Sequence, residues 1–494
     1  MFPDFSSITH ILTPFSLMLM LFGVFGGLVI GSLPGLTGTM AVALLVPITF
    51  GMPMEQGLVL LVAVYIGAIS GGLVAASLLN IPGTPASVAT TYDAYPMVCR
   101  GEAGKALGIG VFASFMGCII SFVFLVTLAP LLGTFALRFG PCEYFALVIF
   151  TLTCITSISK KSQVKGFLAA AIGLLMSTVG LSEVDGFPRF TYDTDLLQSG
   201  FSVMPVLIGM YAISQIMIEV KGIREPVTVP SADFTIREFW NVAKLCLHSW
   251  KNLVRSSIIG TAIGILPGIG PGLSNIVAYS QAKAADKHPE TFGQGNPDGI
   301  IASESANNAS CGGALIPLLS LGIPGDSTTM MMLGAFMIQG VQPGPLMMRD
   351  NPEVVLTIQV AFLISSLLML VLQIRFIKLL VKALSISRPI LYPVILALCT
   401  IGCFALNSNM SDVWIFLIMG IVGIVLNKLE FPLLPLVLGL ILGKMAEQEL
   451  RTSLIMGHGT FSEYLHRPIA LTFIGLSAFS IGWSVYRSRK RKTA

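Results

Sequence analysis

Apolar residues run along this chain in long blocks separated by short polar connections. Three blocks, Phe5–Met54, Ser256–Ala282 and Pro389–Ser411, contain no Lys, Arg, Asp or Glu. A helix of about 20 residues crosses a hydrocarbon core, so each block is long enough to span one. Ala106–Leu137 and Val354–Ile374 are equally free of charge. The pattern predicts an all-α polytopic membrane protein. The one substantial polar connection, 221–252, carries Ile236, Phe239, Trp240, Ala243, Leu247 and Trp250 at three- and four-residue spacing. That spacing predicts an amphipathic helix lying in the cytoplasmic interface, or a short helix packed on the protein itself.

Composition sharpens this picture. Of 494 residues, 54% are apolar and 11% charged. A soluble domain carries about 25% charged residues, so several water-facing domains are excluded. The eight cysteines form no Cys-x-x-Cys pair, and Cys399 and Cys403 fit one turn of a packed helix better than a metal site. Arg487, Arg489, Lys490, Arg491 and Lys492 follow the last apolar block and outweigh the whole chain's net charge of +4. The positive-inside rule makes this tail, 487–494, a cytoplasmic anchor. A basic segment and small-residue cleavage site are missing from the first residues, so no removable signal peptide is expected. A nucleotide-driven pump needs Gly-x-x-x-x-Gly-Lys-[Ser/Thr], and the nearest match, Gly104-Lys105, is followed by alanine and lacks the upstream glycine.

Internal similarity is the strongest signal. Gly31-Ser-Leu-Pro-Gly-Leu36 recurs as Gly264-Ile-Leu-Pro-Gly-Ile269, and Gly71-Gly72 with Ile81-Pro-Gly83 recur as Gly312-Gly313 with Ile323-Pro-Gly325. A duplication follows, with one repeat in 1–220 and the other in 253–486, joined by the linker 221–252. Basic residues fall in opposite phase in the two halves. Arg100 and Lys105 precede the long segment of the first half, whereas Arg375, Lys378, Lys382 and Arg388 follow that of the second. Residues 1–50 contain no Lys or Arg, while Arg237, Lys244, Lys251 and Arg255 precede the second half. The halves are therefore expected to be inverted-topology repeats, a hallmark of secondary transporters, with a periplasmic N-terminus.

Leu-Pro-Gly or Ile-Pro-Gly inside an apolar run breaks a helix, because proline removes a backbone donor and glycine permits the bend. Lipid cannot satisfy the freed groups, so such breaks survive only against protein or a wet cavity. Broken helices or re-entrant hairpins meeting at mid-membrane are expected. In Pro82-Gly-Thr-Pro-Ala-Ser87, Thr84 suits an N-cap and Pro85 a first helical residue; Gly325-Asp-Ser-Thr-Thr329 repeats the device. Two helix N-termini suit carboxylates. Candidate substrate-binding residues are Asn80, Pro82, Gly83, Thr84, Ser87, Gly325, Asp326, Ser327 and Thr328. A multiply charged anion needs further positive charge, most simply from a co-transported cation. Oxygen-bearing or backbone-exposing residues of the Leu-Pro-Gly breaks suit a small monovalent cation: Ser32, Gly35, Thr37, Thr39, Gly268, Gly270, Ser274 and Asn275, with Asn307 and Asn308 nearby. Glu304 is a candidate proton or cation site, or a residue of a polar interface. Asp93 and Asp298 are expected at the surface if not in the site.

At these motifs the sequence resembles the large membrane subunit of the tripartite tricarboxylate transporter family. The resemblance rests on Gly31-Ser-Leu-Pro-Gly-Leu-Thr-Gly-Thr-Met40 running on to Pro47, on Asn80-Ile-Pro-Gly-Thr-Pro85 and on Gly264-Ile-Leu-Pro-Gly-Ile269. It implies a bacterial inner-membrane carrier for citrate or a related carboxylate, supplied by a periplasmic binding protein. It further implies a small four-helix membrane subunit as partner and a cation gradient, Na⁺ before H⁺, as driving force, with no other cofactor. Two alternatives compete. An intramembrane aspartyl protease would pair Asp93 with Asp326, but the two are not matched by the repeat and Gly322-Ile-Pro-Gly-Asp326 lacks the Gly-x-Gly-Asp spacing. A passive anion channel would need a charged ring that is not evident.

Overall fold

The computed structural model describes residues 11–33, 35–158, 163–182, 185–192, 194–220, 236–268, 270–383 and 388–492. Pro34 and Ile269 of the breaks and 221–235 of the linker lie outside them. In chain order the main helices are α1 Pro14–Ser32, α2 Gly38–Thr49, α3 Met54–Leu79, α4 Thr90–Cys99, α5 Ala103–Ala136, α6 Pro141–Ile158, α7 Gln163–Ser177, α8 Val203–Ile208, α9 Ile236–His248, α10 Trp250–Ile265, α11 Gly270–Ala285, α12 Pro297–Leu321, α13 Ser327–Ile338, α14 Pro352–Ala383, α15 Arg388–Asn407, α16 Met410–Lys428, α17 Leu433–Met456 and α18 Pro468–Lys492. Five helices among the described residues are long and apolar enough to cross a membrane: α1, α3, α5, the Pro352–Lys382 part of α14, and α16. The chain is an all-helical polytopic membrane protein, apart from one antiparallel pairing of Gly180–Leu181 with Pro188–Arg189.

Two compact units form, and each joins one terminal stretch of the chain to one internal stretch. The first comprises Met1–Thr134 and Ile218–Gly402, the second Phe135–Met217 and Cys403–Ala494. In the second unit α7 packs on α17 so closely that a Cβ on Gly173 would overlap the Leu436 carbonyl. Its polar edge is an ion cluster. Arg189 forks onto Glu447 at 2.7 and 3.0 Å, and Arg451 reaches both Glu447 (2.7 Å) and Asp185 (3.2 Å). The nearby Ser182 hydroxyl, then the hydrogen bond from Arg451, holds the Asp185 carboxyl down at about 2.

The first unit is built on α3 and α12, both buried on nearly every side. Small residues let other helices reach them closely, as membrane packing favours. Gly23 of α1 backs onto Leu60 and Ala63, and Gly31 onto Ala68. Contacts advance in the same direction along both helices, so α1 and α3 run parallel and α2 between them runs back. Helices α10 and α12 pack in a similar way. Gly260 of α10 backs onto Ala306 and Gly264 onto Ser310, while Asn252 Nδ2 donates to the backbone and side chain of Asp298 at 2.9 Å each. Thus α10 and α12 run parallel, and α11 returns between them.

The linker helix differs from its expected single apolar face. Val242, Ala243 and Cys246 point inward, whereas Trp240 and Leu247 are exposed. Trp250, also exposed, begins the next helix after a break at Ser249.

Candidate functional site

Both central helices overshoot, and the chain doubles back beside them. α3 ends at Asn80 and α12 at Gly322, each in the left-handed conformation, with φ +54° and +72°. Gly83 then lies against the Gly31 carbonyl and Gly72, and Gly325 against the Gly264 carbonyl and Ala314. Any side chain at Gly83 or Gly325 would strike backbone. The contacts also show which of the double glycines are equivalent in packing. Gly71 backs onto Leu28 and Gly313 onto Thr261, so the counterparts are Gly71 with Gly313 and Gly72 with Ala314.

The two turns are not chemically alike. Thr84 starts a three-residue 3-10 turn, Pro85–Ser87, and not an α-helix; α4 begins only at Thr90. Ser87 Oγ serves this turn locally, donating to the Thr84 carbonyl at 3.0 Å and accepting from the Thr84 N–H at 3.4 Å. Buried Thr84 Oγ1 faces the Ser87 N–H in a capping-box arrangement but has no partner at hydrogen-bond geometry. Asp326, by contrast, caps α13 fully. Its Oδ1 accepts from the Thr329 N–H at 2.7 Å and its Oδ2 from the Tyr65 hydroxyl at 2.6 Å. The N-terminus at Asp326 therefore already holds a carboxylate, the protein's own.

The halves interlock crosswise. Thr39 Oγ1 lies 3.3 Å from Thr328 Oγ1, where Gly270, φ +59°, abuts the Asp326 Cβ within the second half. On the other side Asn275 Nδ2 donates to the carbonyls of Ala86 and, at 3.4 Å, Pro85, and Ser274 Oγ reaches the Ala306 carbonyl at 3.3 Å. Buried Asn275 Oδ1 has no partner. The buried Asn307 carboxamide approaches the Glu304 carboxyl and finds no closer bond. The spacing that relates Gly83 to Gly325 also relates Thr84 to Asp326 and Tyr65 to Asn307. Where one half has a closed Tyr65–Asp326 pair, the other has Asn307 and Thr84 with polar atoms to spare.

Other expected residues are occupied locally. Ser32 Oγ donates to the Val29 carbonyl at 2.7 Å. Thr37 Oγ1 caps α2 through the Met40 N–H at 3.2 Å. Gly35 and Gly268 turn the chain at φ +90° and +78°, and the Gly268 N–H donates to the Gly325 carbonyl at 2.8 Å. Pro82 and Ser327 are half-buried. Asn80 is exposed and lines a cleft of about 490 Å³ with Tyr92, Tyr95, Tyr279 and Lys283.

Asp93 is not at the surface. It is fully buried, and its Oδ1 accepts from the N–H groups of Gly293, Gly295 and Asn296 at 2.8 Å each, its Oδ2 from the Tyr279 hydroxyl at 2.9 Å. This fastens α4 to the loop before α12, with Arg100 donating to the carbonyls of Gln294 and Gly295. Asp93 and Asp326 are thus committed to separate bonds and share no proton. Sequence reasoning missed Tyr65, Thr90, Ser114 and Tyr279. A hydroxyl in an apolar run was their one signal, and many such residues merely bond their own helix.

Interrupted helices around a buried polar centre define a membrane protein of the transport class. Residues 17–438 match the model of the Tripartite tricarboxylate transporter TctA family. The chain belongs to that family: it is the large membrane subunit of a tripartite tricarboxylate transporter, and not an enzyme. It is 34% identical, over 94% of its length and 92% of the relative's, to an uncharacterized 52.8 kDa protein in the TAR-I ttuC' 3' region of Agrobacterium vitis. A protein in the TAR-II ttuC' 3' region of the same organism is 37% identical over 44% of this chain and 90% of its own. No solved structure matches.

Proposed function

We propose that this chain imports citrate or a related tricarboxylate by cation symport, receiving it from a periplasmic binding protein and working with a small four-helix membrane subunit. The observation that carries the substrate site is the set of buried polar atoms without partners at the first turn, Thr84 Oγ1 and Asn275 Oδ1, with the Asn307 carboxamide beside them. Buried polar groups are almost always hydrogen-bonded, so unpaired atoms at one place call for a ligand. Thr84 and Asn307 donate to a carboxylate, and Asn275 Oδ1 accepts from a substrate hydroxyl or meets a cation. Asp326 repels an anion, so the second turn, Gly325 to Thr328, contributes backbone and hydroxyls but not its carboxylate. Neutral oxygens of the breaks, from Ser32 to Thr39 and from Gly268 to Asn275, serve the coupling cation, Na⁺ ahead of H⁺. Lys283, in the cleft with Asn80, draws the anion toward one mouth.

The repeat reading draws support from the matched packing of Gly83 and Gly325 and from the parallel pairs α1/α3 and α10/α12. In a bilayer each pair makes its middle helix the return arm of a re-entrant hairpin, giving inverted repeats in 1–220 and 253–486. Arg100, Lys251, Lys283 and the tail mark the cytoplasmic side, and the N-terminus is periplasmic. Exposed Trp240 and Leu247 beside Lys244 support the reading that α9 lies in the cytoplasmic interface. Alternating access follows from such an architecture.

The test is uptake of labelled citrate and a panel of di- and tricarboxylates into proteoliposomes holding this chain and its small partner, with binding protein outside. Inward Na⁺ and H⁺ gradients are imposed separately. Gradient-dependent accumulation is expected; flux that only dissipates a carboxylate gradient would favour a passive channel.

A further inference from the structure

Glu304 lies in the first third of α12, fully buried. Thr90 Oγ1, at the start of α4, donates to its Oε1 at 2.5 Å, and Ser114 Oγ, on α5, to its Oε2 at 3.0 Å. Thr90 Oγ1 also sits 3.2 Å from Ser303 Oγ. The groups on this carboxyl are neutral: Thr90 from α4, Ser114 from α5 and Asn307 from its own helix. Ser303 bonds Thr90, and Asn308 Nδ2 donates to the Glu304 backbone carbonyl at 3.3 Å. Helix α3, also packed on α12, carries Glu55 in its first turn and Tyr65, which is bonded to Asp326. Cys118, whose thiol faces Asn308, is a further titratable neighbour. From α10 and α11 the nearest groups are Gly260 and Ser274, both against Ala306. The other charged side chains of these helices are Asp93, Lys105, Lys251, Arg255, Lys283 and Asp298. None of them forms an ion pair with Glu304 among the described residues, and Asp93, Lys105, Arg255 and Asp298 have partners of their own.

An ionised carboxylate in such a place costs several kcal/mol when no cation accompanies it, and two hydroxyl donors offset only part of that. A neutral acid removes the cost and still has a proton to give to a hydroxyl oxygen. We propose that Glu304 is a proton-binding site of the transport cycle: protonated in the closed arrangement described here, ionised when Thr90 draws away and water enters. The inference rests on the carrier reading and adds a proton to the cation held by the breaks. Thr90 is six residues beyond Thr84 on the same stretch of chain. A proton that fixes Thr90 and a carboxylate that engages Thr84 therefore favour the same position of that stretch, which makes their binding mutually dependent. The counterpart of Glu304 in the first half is buried Val62, so the acid occurs once per chain.

The experiment compares wild type with Glu304→Gln, the neutral isostere, in the same proteoliposomes. Equilibrium exchange of labelled citrate, which needs no net proton movement, is expected to survive within a few-fold, whereas uptake driven by an inward H⁺ gradient without a Na⁺ gradient falls about tenfold or more. Exchange should also lose its pH dependence in the variant, while Glu304→Asp keeps it. If Glu304→Gln is too unstable to exchange, trapped pyranine in wild-type vesicles decides, by reporting proton entry with citrate at a pH where citrate is fully ionised. Proton-driven uptake unchanged by Glu304→Gln, or citrate entry in wild type without protons, overturns the proposal. Failure of wild type to exchange any carboxylate that its binding protein holds would instead overturn the carrier reading, and this inference with it.

Discussion

Thr84 and Tyr65 make opposite demands on the protein, although both are buried hydroxyls in apolar surroundings. The Tyr65 hydroxyl is spent on Asp326 at 2.6 Å. Losing one partner of a buried charge-assisted bond costs about 1–3 kcal/mol, so Tyr65→Phe should lower the melting temperature of the purified protein. Thr84 Oγ1 has no such bond to lose. Thr84→Val keeps the shape and should leave stability within about 0.5 kcal/mol, yet citrate uptake should fall about tenfold if a ligand takes that hydroxyl. A Thr84→Val protein with full uptake would remove Thr84 from the site. Nothing in the sequence separates these residues, since Thr84 sits in a conspicuous motif and Tyr65 in an unremarkable apolar helix. Which hydroxyl has a partner depends on side chains more than two hundred residues away.

Among the elements, the parallel pair α1 and α3 depends on the absence of side chains along one stripe. A Cβ on Gly31 would overlap the Ala68 carbonyl, a backbone atom that cannot swing aside, whereas one on Gly26 meets nothing within 4 Å. Gly31→Ala should therefore cost about 1–3 kcal/mol or more by overpacking and sharply reduce the yield of monodisperse protein in detergent. Gly26→Ala, five residues earlier on another face, should be neutral. Equal behaviour of the two would mean that α1 does not approach α3 as described. The Pro-Gly breaks were legible in sequence because proline and glycine act through their own backbone. The 3-10 turn at Thr84 was not, because a proline start suits a helix and a short turn equally, and the packing beyond it decides.

At the scale of the whole molecule, the direction of α2 is the sharpest claim. If α1 and α2 form a re-entrant hairpin, residues 12 and 51 face the same side of the membrane; if they form one interrupted span, they face opposite sides. Both Leu12 and Gly51 are exposed. In a Cys99→Ser background, which removes the exposed native thiol, Leu12→Cys and Gly51→Cys should both react with a membrane-impermeant maleimide from the periplasmic side. Cys99 itself, left in the otherwise native chain, should react only from the cytoplasmic side. Labelling of the two introduced cysteines from opposite sides would end the hairpin reading.

The sequence by itself determined what depends on local chemistry and on counting. Uncharged blocks of spanning length made this a helical membrane protein. Repeated Pro-Gly breaks placed the interruptions, and the long glycine motif carried the resemblance that the family match bears out. Tertiary structure decided which polar groups meet. It put Asp93 under the amides of 293, 295 and 296, and set Glu304 against Thr90 and Ser114. It closed Asp326 with Tyr65, and left Thr84 and Asn275 with atoms unpaired. The reason is physical: a buried polar atom has a definite need for a partner, and local spacing cannot say which distant residue packing will bring to it.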